Sequence, residues 1–371
     1  MKFQIYSRYL LLLLFSIWFV SCGEDEAPVL EPLDLAYEND IEWHWVPKEE
    51  MISRIGISSG YGVNFNSNSS KLLIYLEGGG ACFNAVTCFD NPSKFDQNDF
   101  EQGIMGGQGS LGIYNRNSSQ NPFSDWNYVY IPYSTGDIHG GNNPSSDVPG
   151  GASNQKMVGF NNVTEVLNDI APFLLDKGVT EVFLSGSSAG GYGALINYDQ
   201  VAQVFPDIDI SMIADSSPVF FDTDIFPSCF NDRLETTFNL QFPPDYDSFV
   251  TDEFPYDTQR MYEYLSNKYP DAQFGFFGYY EDPVMAFFFG FGQDDCVDGI
   301  SPIPNDIYKE GLLDIADYLE DELGNWRVYY ETGEQHTILF SSDFESMSVS
   351  DVRFTDWLSD LNQKTAQDVI R

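Results

Sequence analysis

Histidine is almost missing from this chain: among 371 residues only His44, His139 and His336 occur. A mechanism that needs an imidazole therefore has three places to find one. Basic residues are scarce as well, 17 Lys and Arg against 57 Asp and Glu, for a formal net charge of −40. A field of that sign repels polyanions at low salt, and no Lys/Arg-rich run offsets it, so nucleic acid is excluded as a partner. Bulk acidity of this kind reads as solubility in a salty habitat rather than as one acidic site. Internal repeats and long low-complexity tracts are absent. The longest apolar run near the N-terminus, Tyr9 to Val20, falls short of the about 20 residues that span a bilayer.

That run follows Lys2 and Arg8 and ends in Phe19-Val20-Ser21-Cys22. It fits a secretory signal over residues 1–21, with an ending similar to a bacterial lipoprotein signal in which Cys22 is lipidated. The expectation is an exported protein, anchored by lipid to the bacterial cell envelope (outer membrane or cell surface), with plain secretion as the alternative. Residues 22–40, rich in Glu, Asp and Pro, read as a flexible acidic tether, and residues 41–371 as one catalytic domain, expected to be a monomer. Setting Cys22 aside leaves Cys82, Cys88, Cys229 and Cys296, an even set in an oxidising compartment. Cys82 with Cys88 staples a short loop, which leaves Cys229 to pair with Cys296.

What the chain has in abundance is apolar and aromatic surface, 43% and 16% of residues, enough for a full core. Strand-length apolar runs are predicted at Arg54 to Ser58, Lys71 to Glu77, Tyr128 to Pro132, Glu181 to Ser185, Ser211 to Ala214, Phe274 to Tyr280 and Trp326 to Glu331. Segments of helical period alternate with them, one carrying Val163, Val166, Leu167, Ile170 and Leu174, another Tyr308 to Leu323. That alternation predicts an α/β fold with a mainly parallel central sheet and flanking helices. Two long stretches, Asn84 to Asn127 and Pro218 to Asp257, read as insertions that wall a substrate site.

The strongest local signal is Glu181 to Gly191, in which an apolar strand runs into Gly186-x-Ser188-x-Gly190 and then into a helix. Glycines on both sides of the serine allow a sharp strand-to-helix turn that lifts its hydroxyl above the sheet, and the helix N-terminus below favours developing negative charge. Ser188 is the candidate nucleophile. In such a fold the order is serine, acid, histidine, and only His336 follows Ser188. The acid must end a strand between them, which leaves Asp215 and Asp282, with the cluster Asp294, Asp295 and Asp298 as further options. Gly78-Gly79-Gly80, at the end of the strand Leu72 to Glu77, supplies a loop whose N–H groups, beside that of Ala189, can receive an oxyanion.

Taken together, Gly62-Val63-Asn64, Leu76 to Cys82, Tyr133 to Gly141, Gly186 to Gly191 and Asp215-Ser216-Ser217 resemble the pectin acetylesterase family, which includes animal lipid deacylases. The resemblance spans roughly residues 43 to 340. It implies an α/β-hydrolase with a Ser-Asp-His triad and no cofactor or metal requirement. Position by position it puts the nucleophile on Ser188, the base on His336, the acid on Asp282 rather than Asp215, and the oxyanion donors on Gly79, Gly80 and Ala189. Ala81 and Ser187 depart from the aromatic and the cysteine usual in plant members. The implied activity is hydrolysis of a carboxylic ester, first of all an O-acetyl group on a polysaccharide. The alternatives are a lipid or small-ester carboxylesterase, with Phe287, Phe288 and Phe289 lining an acyl pocket, and a non-catalytic surface glycan-binding lipoprotein. For the Phe run, core packing is the preferred expectation.

Overall fold

In the computed structural model, residues 31–251, 254, 256–296 and 301–370 are described. The signal segment, Cys22 and Asp298 lie outside the described residues, as does the side chain of Asp295. Eight strands build the main sheet: β1 His44–Ile52, β2 Ser58–Asn64, β3 Lys71–Leu76, β4 Asn127–Ile131, β5 Glu181–Ser187, β6 Asp209–Asp215, β7 Gln273–Tyr279 and β8 Trp326–Glu331. Their spatial order is β1-β2-β4-β3-β5-β6-β7-β8. Only β2 runs against its neighbours, pairing antiparallel with β1 and β4; every other pairing is parallel. This is the α/β-hydrolase arrangement, and the predicted mainly parallel sheet is what forms.

Alternation along the strands explains why the sheet needs cover on both faces. In β3, Leu72, Ile74 and Leu76 enter one core while Leu73 and Tyr75 enter the other. The first core is closed by α2 Gly159–Asp176, α3 Ala189–Val204 and the later helix Asn305–Asp321, through residues such as Val163, Ile170, Leu195, Leu312 and Ile315. The second is closed by the C-terminal helix Phe354–Asn362 and by Phe100, Ile113, Tyr114, Phe123 and Trp126.

Several expectations need correction. Arg54 to Ser58 is largely the turn of the β1–β2 hairpin rather than a strand; Ser53 Oγ accepts Ile57 N–H at 3.1 Å and closes it. The flexible tether over residues 22–40 does not extend to its end: α1 Pro32–Glu38 is a helix with Pro at its first turn, and Ala36 is fully buried. Tyr37 packs on Phe65 and Phe173, and Lys177 Nζ reaches Asp34 at 3.7 Å, so contact with the domain orders a segment too short to hold a helix alone. Much of the Asn84 to Asn127 stretch, expected as a substrate wall, instead supplies that second aromatic core.

Both disulfides have the expected partners, Cys82 with Cys88 and Cys229 with Cys296. The second closes a separation of 67 residues and ties a helix over Ser228–Phe238 to the turn at Asp294–Cys296. Chain-entropy reasoning gives such a closure about 4 kcal/mol. The double substitution Cys229→Ser with Cys296→Ser should therefore lower the melting temperature by several degrees under oxidising conditions, and a reducing agent, which opens Cys82–Cys88 as well, should lower the parent at least as far. An unchanged melting temperature would show that the link adds nothing.

Candidate active site

Parallel register brings the strand ends into one line. Leu76 pairs with Gly186, Ser187 with Asp215, Asp215 with Phe277 and Tyr279 with Glu331, so the segments after β3, β5, β6, β7 and β8 leave the sheet side by side. Ligand sites of open α/β sheets form at such ends.

Ser188 stands in the turn between β5 and α3 with φ 56° and ψ −123°, a conformation that an L residue holds only when its surroundings impose it. Its N–H donates to Asp215 O at 2.7 Å, and Ser217 Oγ donates to Ser188 O at 2.7 Å. The flanking glycines are required by contact: a Cβ on Gly186 would lie 2.1 Å from Gly190 O, and one on Gly190 would lie 2.0 Å from Leu76 O. The predicted sharp strand-to-helix turn is therefore present, and Ser188 retains 8% of its surface.

The two candidate acids part company here. Asp282, fully buried, caps the helix Pro283–Gly290: its Oδ1 accepts N–H bonds from Val284 at 2.9 Å and Met285 at 3.0 Å. Its Oδ2 lies 2.7 Å from His336 Nδ1. A carboxylate in that position holds the Nδ1–H tautomer and leaves Nε2 as the basic nitrogen. Asp215 has other partners. It accepts Ser187 Oγ at 2.7 Å, Ile338 N–H at 3.0 Å and Leu339 N–H at 3.1 Å, and burial pushes its carboxyl up. It thus fastens the loop that carries His336 to the elbow that carries Ser188. Ser187 is used as a hydrogen-bond donor in this junction. Among the described residues no hydrogen bond joins Ser188 Oγ to the ring of His336; such bonds often tighten only when substrate arrives. Asp294 belongs to the disulfide-linked turn at Asp294–Cys296, away from these contacts.

On the other side of Ser188 runs the glycine loop. Gly79 has φ 153° and Gly80 φ 78°, both in the range that favours glycine. The N–H groups of Gly79, Gly80 and Ala189 have no backbone acceptor among the described residues, which leaves them free to bind an anion. The loop's carbonyls are held from behind. His139 Nε2–H donates to Glu77 O at 2.8 Å, Asn91 Nδ2 to Gly79 O at 2.7 Å and Tyr133 OH to Gly80 O at 2.8 Å. These three residues escaped sequence reasoning, because nothing in the spacing of His139, Asn91 or Tyr133 points to a carbonyl 12 to 62 positions away. Burial lowers His139 to about 4, so the ring is neutral near pH 7 and its Nε2–H is committed to Glu77 O.

Ser188, Gly80 and Ala189 line a cavity whose empty volume is about 860 Å³, open solvent included. Its walls are Leu195 and Ile196 from α3, Phe230, Leu234 and Phe238 from Ser228–Phe238, and Met285, Phe288 and Phe289 from Pro283–Gly290. The stretch from Pro218 does wall the site, as expected. Phe288 and Phe289 line the cavity too, whereas core packing had been the preferred expectation; Phe289 does both, stacking edge-on with Phe220. A cavity wall and a core are equally apolar, so the sequence could not tell them apart.

Known proteins supply the remaining comparison. Residues 56–242, half of the chain, match the sequence pattern of the pectinacetylesterases. The chain belongs to the pectinacetylesterase family. Ser188 and the glycine loop lie inside the matched residues, Asp282 and His336 beyond them. The palmitoleoyl-protein carboxylesterase notum2 of Xenopus laevis is 31% identical over 182 residues, 47% of this chain and 35% of the relative. The palmitoleoyl-protein carboxylesterase NOTUM of Mus musculus is 30% identical over 186 residues, 48% of this chain and 35% of the relative. The match thus spans about a third of the length of these relatives. The solved structure of the Wnt deacylase Notum from Drosophila superposes with a TM-score of 0.64 at 17% identity, covering 90% of this chain and 96% of that one, which establishes the shared fold.

Glu77, just before the glycine loop, accepts Tyr133 N–H at 2.8 Å, and burial pushes its carboxyl up to about 7 from an ordinary 4.5. Between those values the folded chain holds a proton that the unfolded chain releases. The stability this group contributes is therefore full below 4.5 and is lost as pH rises through 7. Glu77→Gln should flatten the decline of the melting temperature over that window. Parallel curves for variant and parent would exclude this role.

Proposed function

We propose that this pectinacetylesterase-family chain is a serine carboxylic-ester hydrolase that prefers esters with a medium or long acyl chain. His336 Nε2 takes the proton from Ser188 Oγ as the oxygen attacks the acyl carbon. The tetrahedral oxyanion binds the N–H groups of Gly79, Gly80 and Ala189. Asp282 stabilises the imidazolium, which then protonates the departing alcohol; water repeats the cycle on the acyl-enzyme.

One observation carries the acyl preference: the cavity that Ser188 lines has walls that are almost wholly apolar. Leu195, Ile196, Phe230, Leu234, Phe238, Met285, Phe288 and Phe289 together offer more apolar lining than a two-carbon acetyl group would cover. The palmitoleoyl-protein carboxylesterase activity named for the animal relatives is of the same kind. Hydrolysis of O-acetyl groups on a polysaccharide is the second reading, favoured by the family's name. For that substrate the charge of −40 favours a neutral glycan over polygalacturonate at low salt. The disulfides fit an oxidising compartment, and export with a lipid anchor on Cys22 completes the reading.

A series of p-nitrophenyl esters from acetate to palmitate tests the preference. Each methylene buried is worth about 0.8 kcal/mol, so kcat/KM should rise roughly fourfold per added carbon until the cavity is full. A maximum at acetate would return the assignment to the second reading. Ser188→Ala should abolish turnover of every ester in the series; retained turnover would remove Ser188 as the nucleophile, and a parent without turnover would point to the non-catalytic alternative.

The acids are separable by kinetics. Asp282→Asn should lower kcat by about 10⁴-fold through loss of the correct tautomer. Asp215→Asn should act mainly on melting temperature and lower kcat far less, since Asp215 meets backbone rather than the ring. Reversed effects would exchange the two assignments.

A further inference from the structure

We infer that Asn91 is a positioning residue for the oxyanion site: its side-chain amide sets the plane of the Gly79–Gly80 peptide and so aims the Gly80 N–H. The inference rests on the ester-hydrolase reading given above.

Among the described residues no peptide is cis, so in the Gly79–Gly80 unit the C=O and the following N–H point in opposite directions. Whatever grips Gly79 O therefore decides where Gly80 N–H looks. The grip is Asn91 Nδ2, at 2.7 Å. The plane lies between two glycines with φ 153° and φ 78°, neither bearing a Cβ to resist rotation, so local sterics alone do not fix it. Asn91 is itself rigidly placed. It is 7% exposed, and its own carbonyl accepts from buried Arg54 Nη2 at 2.8 Å, while Arg54 Nη1 reaches Cys82 Sγ at 2.8 Å. The Asn91 Oδ1 atom is buried and has no hydrogen-bond partner among the described residues. An amide with one end unsatisfied is a poor device for stability, because that buried acceptor costs free energy. The end that is satisfied is the one facing the glycine loop. Tyr133 OH performs the matching service on Gly80 O, at 2.8 Å, so the peptide on each side of the Gly80 Cα is held by a buried side chain.

The test uses p-nitrophenyl ester hydrolysis by the full chain, with Ser188→Ala as the blank. A lost oxyanion donor lowers kcat by about 10²–10³-fold, so a misaimed one in Asn91→Ala should lower it by about 10- to 100-fold with KM within about threefold. Asn91→Asp keeps the shape but, when ionised, has no proton to give Gly79 O. Its kcat relative to the parent should be lowest in mild alkali and should climb as acid restores a donating O–H. A side chain that only supported the fold would give a ratio independent of pH. The inference is overturned by a kcat of Asn91→Ala within threefold of the parent, by a loss confined to KM, by a flat ratio for Asn91→Asp, or by failure of both variants to fold, which would assign Asn91 to structure alone. A parent with no Ser188-dependent turnover would remove the ester-hydrolase reading itself and this inference with it; an active parent with unaffected Asn91 variants removes this inference only.

Discussion

Everything at the site depends on how closely the start of α3 can approach the end of β3. Gly190 has no room for a Cβ, because Leu76 O would be 2.0 Å from it. That approach places the Ser188 turn beside the glycine loop that continues β3, so Ser188, Gly80 and Ala189 line one cavity. The same closeness forces Ser188 into its positive-φ conformation, and the strain is offset by bonds from Ser188 N to Asp215 and from Ser217 to Ser188 O. Backbone proximity, more than any side-chain contact, is the constraint on which the chemistry rests.

Around that point two buried aspartates divide the work. Asp282 uses one oxygen to cap a helix and the other to hold His336, so the helix N-terminus fixes the acid, and the acid fixes the ring. Asp215 binds no ring but collects N–H groups from Ile338 and Leu339 and the hydroxyl of Ser187. It joins the histidine loop to the nucleophile turn. The helix Pro283–Gly290 capped by Asp282 also brings Phe288 and Phe289 to the cavity, so the carboxylate that meets His336 and part of the cavity wall belong to one element. Loss of that helix would remove orientation and specificity together.

What was legible in the sequence was whatever has a local cause. Ser188 is flanked by glycines that only a tight turn needs, and His336 is the one histidine after it. The central strands announced themselves because both faces are buried and their apolar runs are continuous. α1 did not, since seven residues are too few to set a helical period and they are held by docking Tyr37 on Phe65 and Phe173. Nor did the turn at Arg54, whose short apolar alternation imitates a strand.

The sequence by itself determined the α/β class, the glycine-flanked turn at Ser188, the eligible histidine and an even set of four cysteines, because each follows from composition, chain order or neighbours a few residues apart. The resemblance favoured Asp282 over Asp215, but only the tertiary structure shows which carboxylate meets the ring, how the cysteines pair, that Phe288 and Phe289 face a cavity, and that Asn91, Tyr133 and His139 grip the glycine loop. The contacts at the ring and the glycine loop join residues 12 to 62 positions apart, formed where parallel strands end side by side. No local pattern encodes them, since an apolar side chain serves core and cavity alike and a carboxylate can serve a ring or a row of N–H groups.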